Sequence, residues 1–400
     1  MRIGMVLKAA IPPPDIRVEK EARTLIEEGH DVHLLLEGSS GRAAEEVVGG
    51  VKFERGVDMG MIREKLHRYT FNFTFRDALW RKSIMRFAVE RGVEALHVHD
   101  LPLMLEAVGV GKRLGIPVVA DLHENYPAGL QVWYESKMKK RTIYNFRRWA
   151  AYERNILGRV DAVIAVIEES RDRLVRLGLP SDMIYVVPNT ASRDREDIPL
   201  DAGITDRYTD RFMISYIGGF ASHRGLDVTI RAMPHLRDRI PNLKLVLVGN
   251  RNASYMAYLT RLADELNCGD MVEMTGWQPF EKIWSYIHAS AVCLVPHSRN
   301  PHTDTTIPHK IFQYMMLGKP VIVSDCPPLA RVIENSGGGL VFTYDKPEEL
   351  AERIVEIHGD GSLRDRLSRA GREAFLDRYN WDKTSGELKR LYQDLEKRTR

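Results

Sequence analysis

Three stretches of this 400-residue chain combine glycine, basic and histidine side chains in the spacing that anion and proton chemistry require. In the first, the apolar run 212–217 ends in Gly218 and Gly219, followed by Phe220, His223, Arg224 and Gly225. Paired glycines at a strand end let a phosphate approach the backbone closely. The helix start that follows offers free N–H groups, and Arg224 offers a planar fork for phosphate oxygens. The competing reading is a tight turn with a surface arginine. In the second stretch, Thr305 and Thr306 lead through Pro308 into an expected helix over 308–317. Lys310 and Gln313, three apart on one helical face, pair an ammonium with an amide, which suits a diphosphate and a ribose diol. A polar face on an ordinary helix is the alternative.

The third stretch is a pair of strand ends. His97, His99 and Asp100 close one apolar run, and Asp121, His123 and Glu124 close the next. Open α/β sheets place ligands at such carboxyl ends, and either His99 or His123 can take or orient a proton near neutral pH. Two histidines and three carboxylates at one edge would also permit a metal ion. No helical histidine pair enforces one, so no metal is expected. His97 is expected to face the sheet or its helices.

Other glycine runs read as structure. Gly109, Gly111 and Gly115 look like a dinucleotide fingerprint but lie at the end of a helix, whereas a true fingerprint opens one. Gly337, Gly338 and Gly339 fall between a helix and a strand and read as a cap and turn. No phosphate-loop motif occurs.

The elements that must position these residues follow one rhythm. Apolar runs at 2–7, 32–36, 95–98, 117–121 and 162–167 alternate with amphipathic stretches, and the rhythm restarts after 210 with 212–217, 243–249, 272–275, 291–296 and 320–325. Continuous apolar runs mean strands covered on both faces, hence parallel sheets with helices on either side. The expected fold is α/β: two Rossmann-like, doubly wound parallel-sheet domains facing a central cleft. The expected division is 1–190, a charged linker at 191–210 containing Pro199 and Gly203, 211–380, and a last helix, 381–400, returning to the first domain.

Composition narrows the function classes. The chain carries 58 Lys+Arg against 55 Asp+Glu, a formal charge of +3, far from the basicity of a nucleic-acid binder. Its three cysteines, Cys268, Cys293 and Cys326, are odd in number and widely spaced, and the N-terminus shows no apolar leader, so a cytoplasmic location is expected. The neutral average hides two basic, aromatic-rich stretches. Residues 137–159 hold eight Lys/Arg against Glu153 alone, and residues 62–91 hold eight against three acidic side chains. Either is a surface for an anionic acceptor or for lipid headgroups, or else a solvated helix face.

In order and spacing these motifs resemble the GT-B-fold retaining glycosyltransferases of the family called glycosyl transferases group 1. Asp15, Arg17, Lys20 and Gly29-His30 resemble the family's first helix and second strand. Asp121-Leu122-His123-Glu124 resembles its active-site histidine segment, and Val187-Pro188-Asn189 the strand before its linker. The stretch from Gly218 to Gly225 resembles the diphosphate turn. Leu247-Val248-Gly249 and Thr275-Gly276-Trp277 resemble the strand ends framing the nucleotide base, and the segment from Pro308 to Gly318 the part that holds sugar and ribose. Four positions depart from the pattern. Gly219 stands where a basic residue is common, Arg224 where lysine is, and Thr305 and Gln313 where the family has two glutamates.

The resemblance implies transfer of a sugar from a nucleotide-diphosphate donor to an acceptor hydroxyl with retention of anomeric configuration. It implies no cofactor and no essential metal. His123, Arg224 and Lys310 take the catalytic roles. Gly218, Gly219, Phe220, His223, Gly249, Asn250, Gly276, Trp277, Thr305, Thr306 and Gln313 face the donor, and Asp15, Arg17, His99, Asp100 and Glu124 the acceptor. A hexosyltransferase in polysaccharide, glycolipid or glycoconjugate biosynthesis is implied, with a carbohydrate or lipid-linked acceptor, no nucleic-acid partner, and a peripheral surface at the inner membrane face formed by 137–159. A nucleotide-sugar epimerase or hydrolase on the same scaffold, and a non-catalytic sugar-nucleotide-binding homologue, remain as alternatives.

Overall fold

The computed structural model describes residues 1–8, 16–37, 45–48, 50–56, 70–193, 198–250 and 252–399. Asp15 and residues 62–69 lie outside the described residues. The chain divides into two compact units. One comprises Met1–Pro188 with Ser385–Arg400, and the other Asn189–Thr384.

The first unit is built on β1 (Arg2–Leu7), β2 (Asp31–Leu36), β3 (Glu45–Val48), β4 (Val51–Arg55), β5 (Ala95–His99), β6 (Val118–Leu122), β7 (Ala162–Ala165) and β8 (Ile184–Val186). They form one sheet in the order β3-β4-β2-β1-β5-β6-β7-β8, parallel throughout except that β3 runs antiparallel to β4. Every residue of β5, β6 and β7 is buried, which is why their sequences are continuously apolar apart from the histidines and Asp121. The connecting helices begin where side chains can cap them. Asp77 accepts from the Trp80 amide, Asn125 from Ala128 and Asn145 from Arg148. Gly109 and Gly111 lie inside the helix Met104–Leu114, which Gly115 ends.

The last helix, Gly386–Thr399, belongs to this unit. Its Leu388, Leu391, Tyr392 and Leu395 are buried at i, i+3, i+4 and i+7, the stripe of an amphipathic helix packed on one face. The Tyr392 hydroxyl meets His97 Nδ1 at 2.9 Å, and Tyr185 donates to Asp394 at 3.0 Å.

The second unit is built on β9 (Phe212–Ile217), β10 (Leu243–Val248), β11 (Val272–Gly276), β12 (Val292–Val295), β13 (Val321–Ser324) and β14 (Gly339–Phe342), all parallel, in the order β11-β10-β9-β12-β13-β14. From β9 the chain winds outward to β10 and β11, then returns to β12 on the other side of β9. The carboxyl ends of β9 and β12 therefore flank the topological switch point, the crevice where open α/β sheets bind ligands. The segment expected as a linker contributes to this unit. Ile204 and Tyr208 are buried around two short turns of helix, Ala202–Thr205 and Asp206–Tyr208, and Tyr208 donates to Glu273 at 3.0 Å. All three cysteines are free and buried.

Replacing Tyr392 by Phe keeps the ring and removes the hydroxyl from a buried hydrogen bond. The expected cost is about 1–3 kcal/mol, measured as a lower denaturant midpoint for the unfolding of the first unit.

Candidate functional site

In the second unit, the loops leaving β9 and β12 are riveted together. Ser298 donates its amide to the His223 carbonyl at 3.0 Å, and a Cβ added at Gly225, whose φ is +66°, would overlap the Pro296 carbonyl. Arg224, the residue before this glycine, is thereby fixed at the switch point. The Gly218 amide donates to Val248 at 2.8 Å, and Tyr216 donates to the Gly219 carbonyl at 3.2 Å, so the diglycine turn is held from both sides. Gly218 has a φ of +138°, and a Cβ there would lie 2.6 Å from Lys310 Nζ. Only glycine leaves the ammonium its place.

Lys310 opens the helix Lys310–Met316 and is buried, its Nζ 3.6 Å from the centre of the Tyr216 ring. Burial first, and then the charge of Arg224, push its ammonium well below lysine's usual value. Neither Lys310 nor Arg224 has a carboxylate within ion-pair distance among the described residues. Arg224 Nη1 instead meets His297 Nε2 at 3.2 Å. His297 is buried, and burial together with Arg224 and Lys310 holds its imidazole well below the ordinary value, so it is neutral and can accept that bond. Two cations converge here without an anion, which is the electrostatic signature of a site for one.

The other expected donor residues fall around this pair. Gln313 is buried one turn after Lys310. Gly249, with Asn250 exposed beside it, donates its amide to the Gly276 carbonyl at 3.0 Å, and Trp277 is 71% exposed at the end of β11. Four further residues expected on the donor side, Phe220, His223, Thr305 and Thr306, have their side chains engaged within the protein. Phe220 is wholly buried with its ring near Tyr216, so only its backbone can face a ligand. His223 is buried against the ring of His302. The Thr305 and Thr306 hydroxyls donate to the carbonyls of Pro301 (2.7 Å) and His302 (2.9 Å).

In the first unit, the carboxylate of Asp121 on β6 gathers a buried cluster. Oδ1 accepts from Arg17 Nη2 at 2.9 Å, and Oδ2 meets His99 Nδ1 at 2.8 Å and His123 Nε2 at 2.9 Å. Arg17 also reaches Glu21 at 2.8 Å and the Val187 carbonyl at 2.8 Å. Burial raises the Asp121 carboxyl, but the charges of Arg17 and His123 win and hold it well below the usual range. Burial drives His99 down to about 4, leaving it neutral. At His123 burial also opposes charge, yet the carboxylates of Asp100 and Asp121 prevail and raise it to about 10. The site therefore presents a partly exposed imidazolium, with Asp100, its backbone at φ +62°, 3.9 Å from Nδ1.

Arg17 and His99, expected to face an acceptor, are instead buried beneath His123, where they support it. His97 shares a face with His99, since residues two apart on a strand point the same way, and their rings lie 4.6 Å apart. Glu124 is half-buried next to His123. Glu21, His97, His99 and Asp121 bring possible metal-ligand atoms within 4.8 Å of one another. Arg17 already neutralises both carboxylates of that set, so a divalent ion would have to displace a guanidinium bound to each. Sequence reasoning missed His297, Tyr216, Glu21 and Tyr392. Only His297 carried a signal, as the residue after Pro296 at the same carboxyl edge.

Solved structures share this architecture. Sucrose-phosphate synthase from Thermosynechococcus elongatus superposes with a TM-score of 0.80 at 20% identity, over 99% of each chain. The Anabaena protein HepE in complex with UDP and glucose gives 0.75 at 13% identity, over 98% of this chain and all of that one. The fold is the two-domain GT-B glycosyltransferase fold. In sequence, residues 197–374 match the model of Glycosyl transferases group 1, and residues 16–195 that of Glycosyltransferase Family 4. The chain is accordingly a glycosyltransferase built of these two modules, each matching just under half of it. Its relatives include the alpha-D-kanosaminyltransferase of Streptomyces kanamyceticus, 23% identical over 72% of each chain. Another is the GDP-mannose:cellobiosyl-diphosphopolyprenol alpha-mannosyltransferase of Xanthomonas oryzae pv. oryzae, 24% identical over 76% of this chain and 75% of that one.

The raised value at His123 fixes a pH dependence. A histidine whose value rises from 6.5 to about 10 on folding stabilises the fold fully below pH 6.5, and that contribution fades as pH climbs towards 10. Unfolding curves of wild type and His123→Asn are therefore expected to differ most at pH 6 and to converge by pH 10.

Proposed function

We propose that the protein transfers a glycosyl group from a nucleotide-diphosphate sugar to an acceptor hydroxyl, retaining anomeric configuration and using no divalent ion. The observation that carries this is the buried Lys310 beside Arg224 at the switch point, two cations facing a glycine turn with no carboxylate partner among the described residues. As the glycosidic bond of the donor breaks, negative charge builds on the leaving diphosphate. Arg224, Lys310 and the amides of 218–220 are preorganised to meet it, and fixed donors of this kind act without reorganising at the moment of reaction. They supply the charge for which other enzymes use a metal. Gln313 is placed for a ribose diol, and the exposed Trp277 ring for a nucleotide base. Retention rests on the family rather than on geometry.

The first unit takes the acceptor side. The His123 imidazolium can donate hydrogen bonds to sugar oxygens, held in place by Asp121. On the same unit, Lys137, Lys139 and Arg141 are exposed on the helix Lys137–Arg141 together with Met138, and Phe146 and Phe73 are exposed nearby. Arg148 ties these parts together by bonding the carbonyls of Asn72 and Phe73. Basic side chains interleaved with exposed apolar ones suit an anionic membrane surface. A lipid-linked or polysaccharide acceptor at the cytoplasmic membrane face follows, consistent with the diphosphopolyprenol named for the Xanthomonas relative. Product analysis with donor alone separates transfer from epimerisation or hydrolysis. Binding without turnover would mark a non-catalytic homologue, the reading favoured by a Thr305 hydroxyl bonded to its own loop.

A thermal-shift screen of nucleotide-diphosphate sugars identifies the donor. Arg224→Ala and Lys310→Ala are each expected to lower turnover of that donor by about 10²–10³ while the folded structure is retained, and activity is expected to survive EDTA. Wild-type rates in both variants would rule out the diphosphate assignment.

Reversing the charges at Lys137, Lys139, Lys140 and Arg141 is expected to abolish co-sedimentation with vesicles containing anionic phospholipid. Donor binding should be unchanged. Equal sedimentation of the variant would dispose of the membrane surface.

A further inference from the structure

We propose that His297 is the positioning residue for Arg224, the acceptor that aims its guanidinium into the diphosphate site. This rests on the donor-site reading above and adds to it a residue that the motifs do not contain. A guanidinium beside a buried ammonium is repelled by it, and with no carboxylate within ion-pair distance among the described residues the arginine needs another anchor. His297 Nε2, 3.2 Å from Arg224 Nη1, is that anchor. An imidazole can accept only when neutral, and every charged or titratable group facing His297 keeps it so. Arg224, Lys310, His223 and His302 all disfavour a second positive charge.

His297 is itself fixed. It is buried, and its carbonyl accepts from Ser324 Oγ at 2.6 Å and from Cys326 Sγ at 3.4 Å, so the carboxyl end of β13 holds the loop after β12. The next residue, Ser298, bonds the carbonyl of His223, one position before Arg224. Backbone and side chain of 296–298 thus hold the arginine at two points. One Nη1 proton is taken by His297. The remaining N–H groups of a planar, five-donor fork are left to bind two phosphate oxygens at once. A carboxylate in the place of His297 would pull the arginine into an ion pair and cancel the charge meant for the ligand. A neutral acceptor orients it and leaves the charge intact.

The test is isothermal titration calorimetry with the nucleoside diphosphate of the donor found by the screen, and with the matching nucleoside as control. His297→Ala should weaken diphosphate binding about 10- to 100-fold, the range for a hydrogen bond to a charged group, and leave nucleoside binding unchanged. His297→Gln, which keeps an acceptor oxygen, should restore most of the loss. Because His297 acts through Arg224, His297→Ala should add little in an Arg224→Ala background. In steady-state kinetics His297→Ala should lower kcat/KM for the donor while thermal unfolding stays near wild type.

If His297→Ala binds like wild type while Arg224→Ala does not, the positioning role is overturned and the donor site stands. If losses in His297→Ala and Arg224→Ala simply add, or His297→Gln fails to restore binding, His297 has a structural role and the proposal fails. If Arg224→Ala and Lys310→Ala also bind normally, the donor-site reading itself falls.

Discussion

Two basic side chains meet at the switch point of the second unit, Lys310 buried and Arg224 half-buried, and among the described residues no carboxylate lies within ion-pair distance of either. Burying one unpaired ammonium already costs several kcal/mol, and a guanidinium beside it adds repulsion. A fold keeps such an arrangement only when the surrounding structure enforces it. Here the enforcement is visible. Gly218 makes room for Lys310, Gly225 lets the arginine loop press against Pro296, Tyr216 offers its ring face to the ammonium, and His297 accepts from the guanidinium. Each detail accommodates a charge that awaits its counter-ion.

The first unit solves the opposite problem. Around Asp121, positive and negative groups are paired inside the protein, with Arg17 bridging two carboxylates and His123 resting on a third contact. The charges of that cluster are balanced within the protein, although the buried His99 Nε2 and Glu21 Oε2 have no hydrogen-bond partner among the described residues, and what it offers outward is one oriented imidazolium. The second unit thus leaves its two basic groups without a counter-charge among the described residues, whereas the first unit pairs its charges and holds one imidazole in a fixed direction. A diphosphate brings its own charge to the former kind of site, whereas a neutral sugar hydroxyl needs only the direction supplied by the latter.

Much of this could be read from the chain. Apolar runs covered on both faces gave the parallel sheets, and glycine pairs followed by Arg224 marked the turn, because local sequence dictates both. The Lys310–Gln313 spacing was legible for the same reason, since helical periodicity alone puts them on one face. The partners of these residues were not legible. Arg17 and Asp121 are 104 positions apart, and His97 and Tyr392 are 295 apart. Such pairings depend on strand order and on where the last helix docks, which no local pattern encodes. The antiparallel strand Glu45–Val48 escaped notice because it is a four-residue edge strand, too short for its pattern to stand out. The bond from the Thr305 hydroxyl to the Pro301 carbonyl was equally illegible, since it depends on the local geometry of the turn.

The first unit takes its last sixteen residues from the far end of the chain, after the whole of the second. The second unit is thus an insertion whose ends already meet. Ala191 pairs with Asn380, the Trp381 amide donates to the Ala191 carbonyl, and the Thr190 and Thr384 hydroxyls lie 2.7 Å apart. Losing order in the helix Gly386–Thr399 would therefore strip the first unit of a core-lining element and His97 of its tyrosine hydroxyl, while every strand pairing and the closing contacts of the second unit stayed in place.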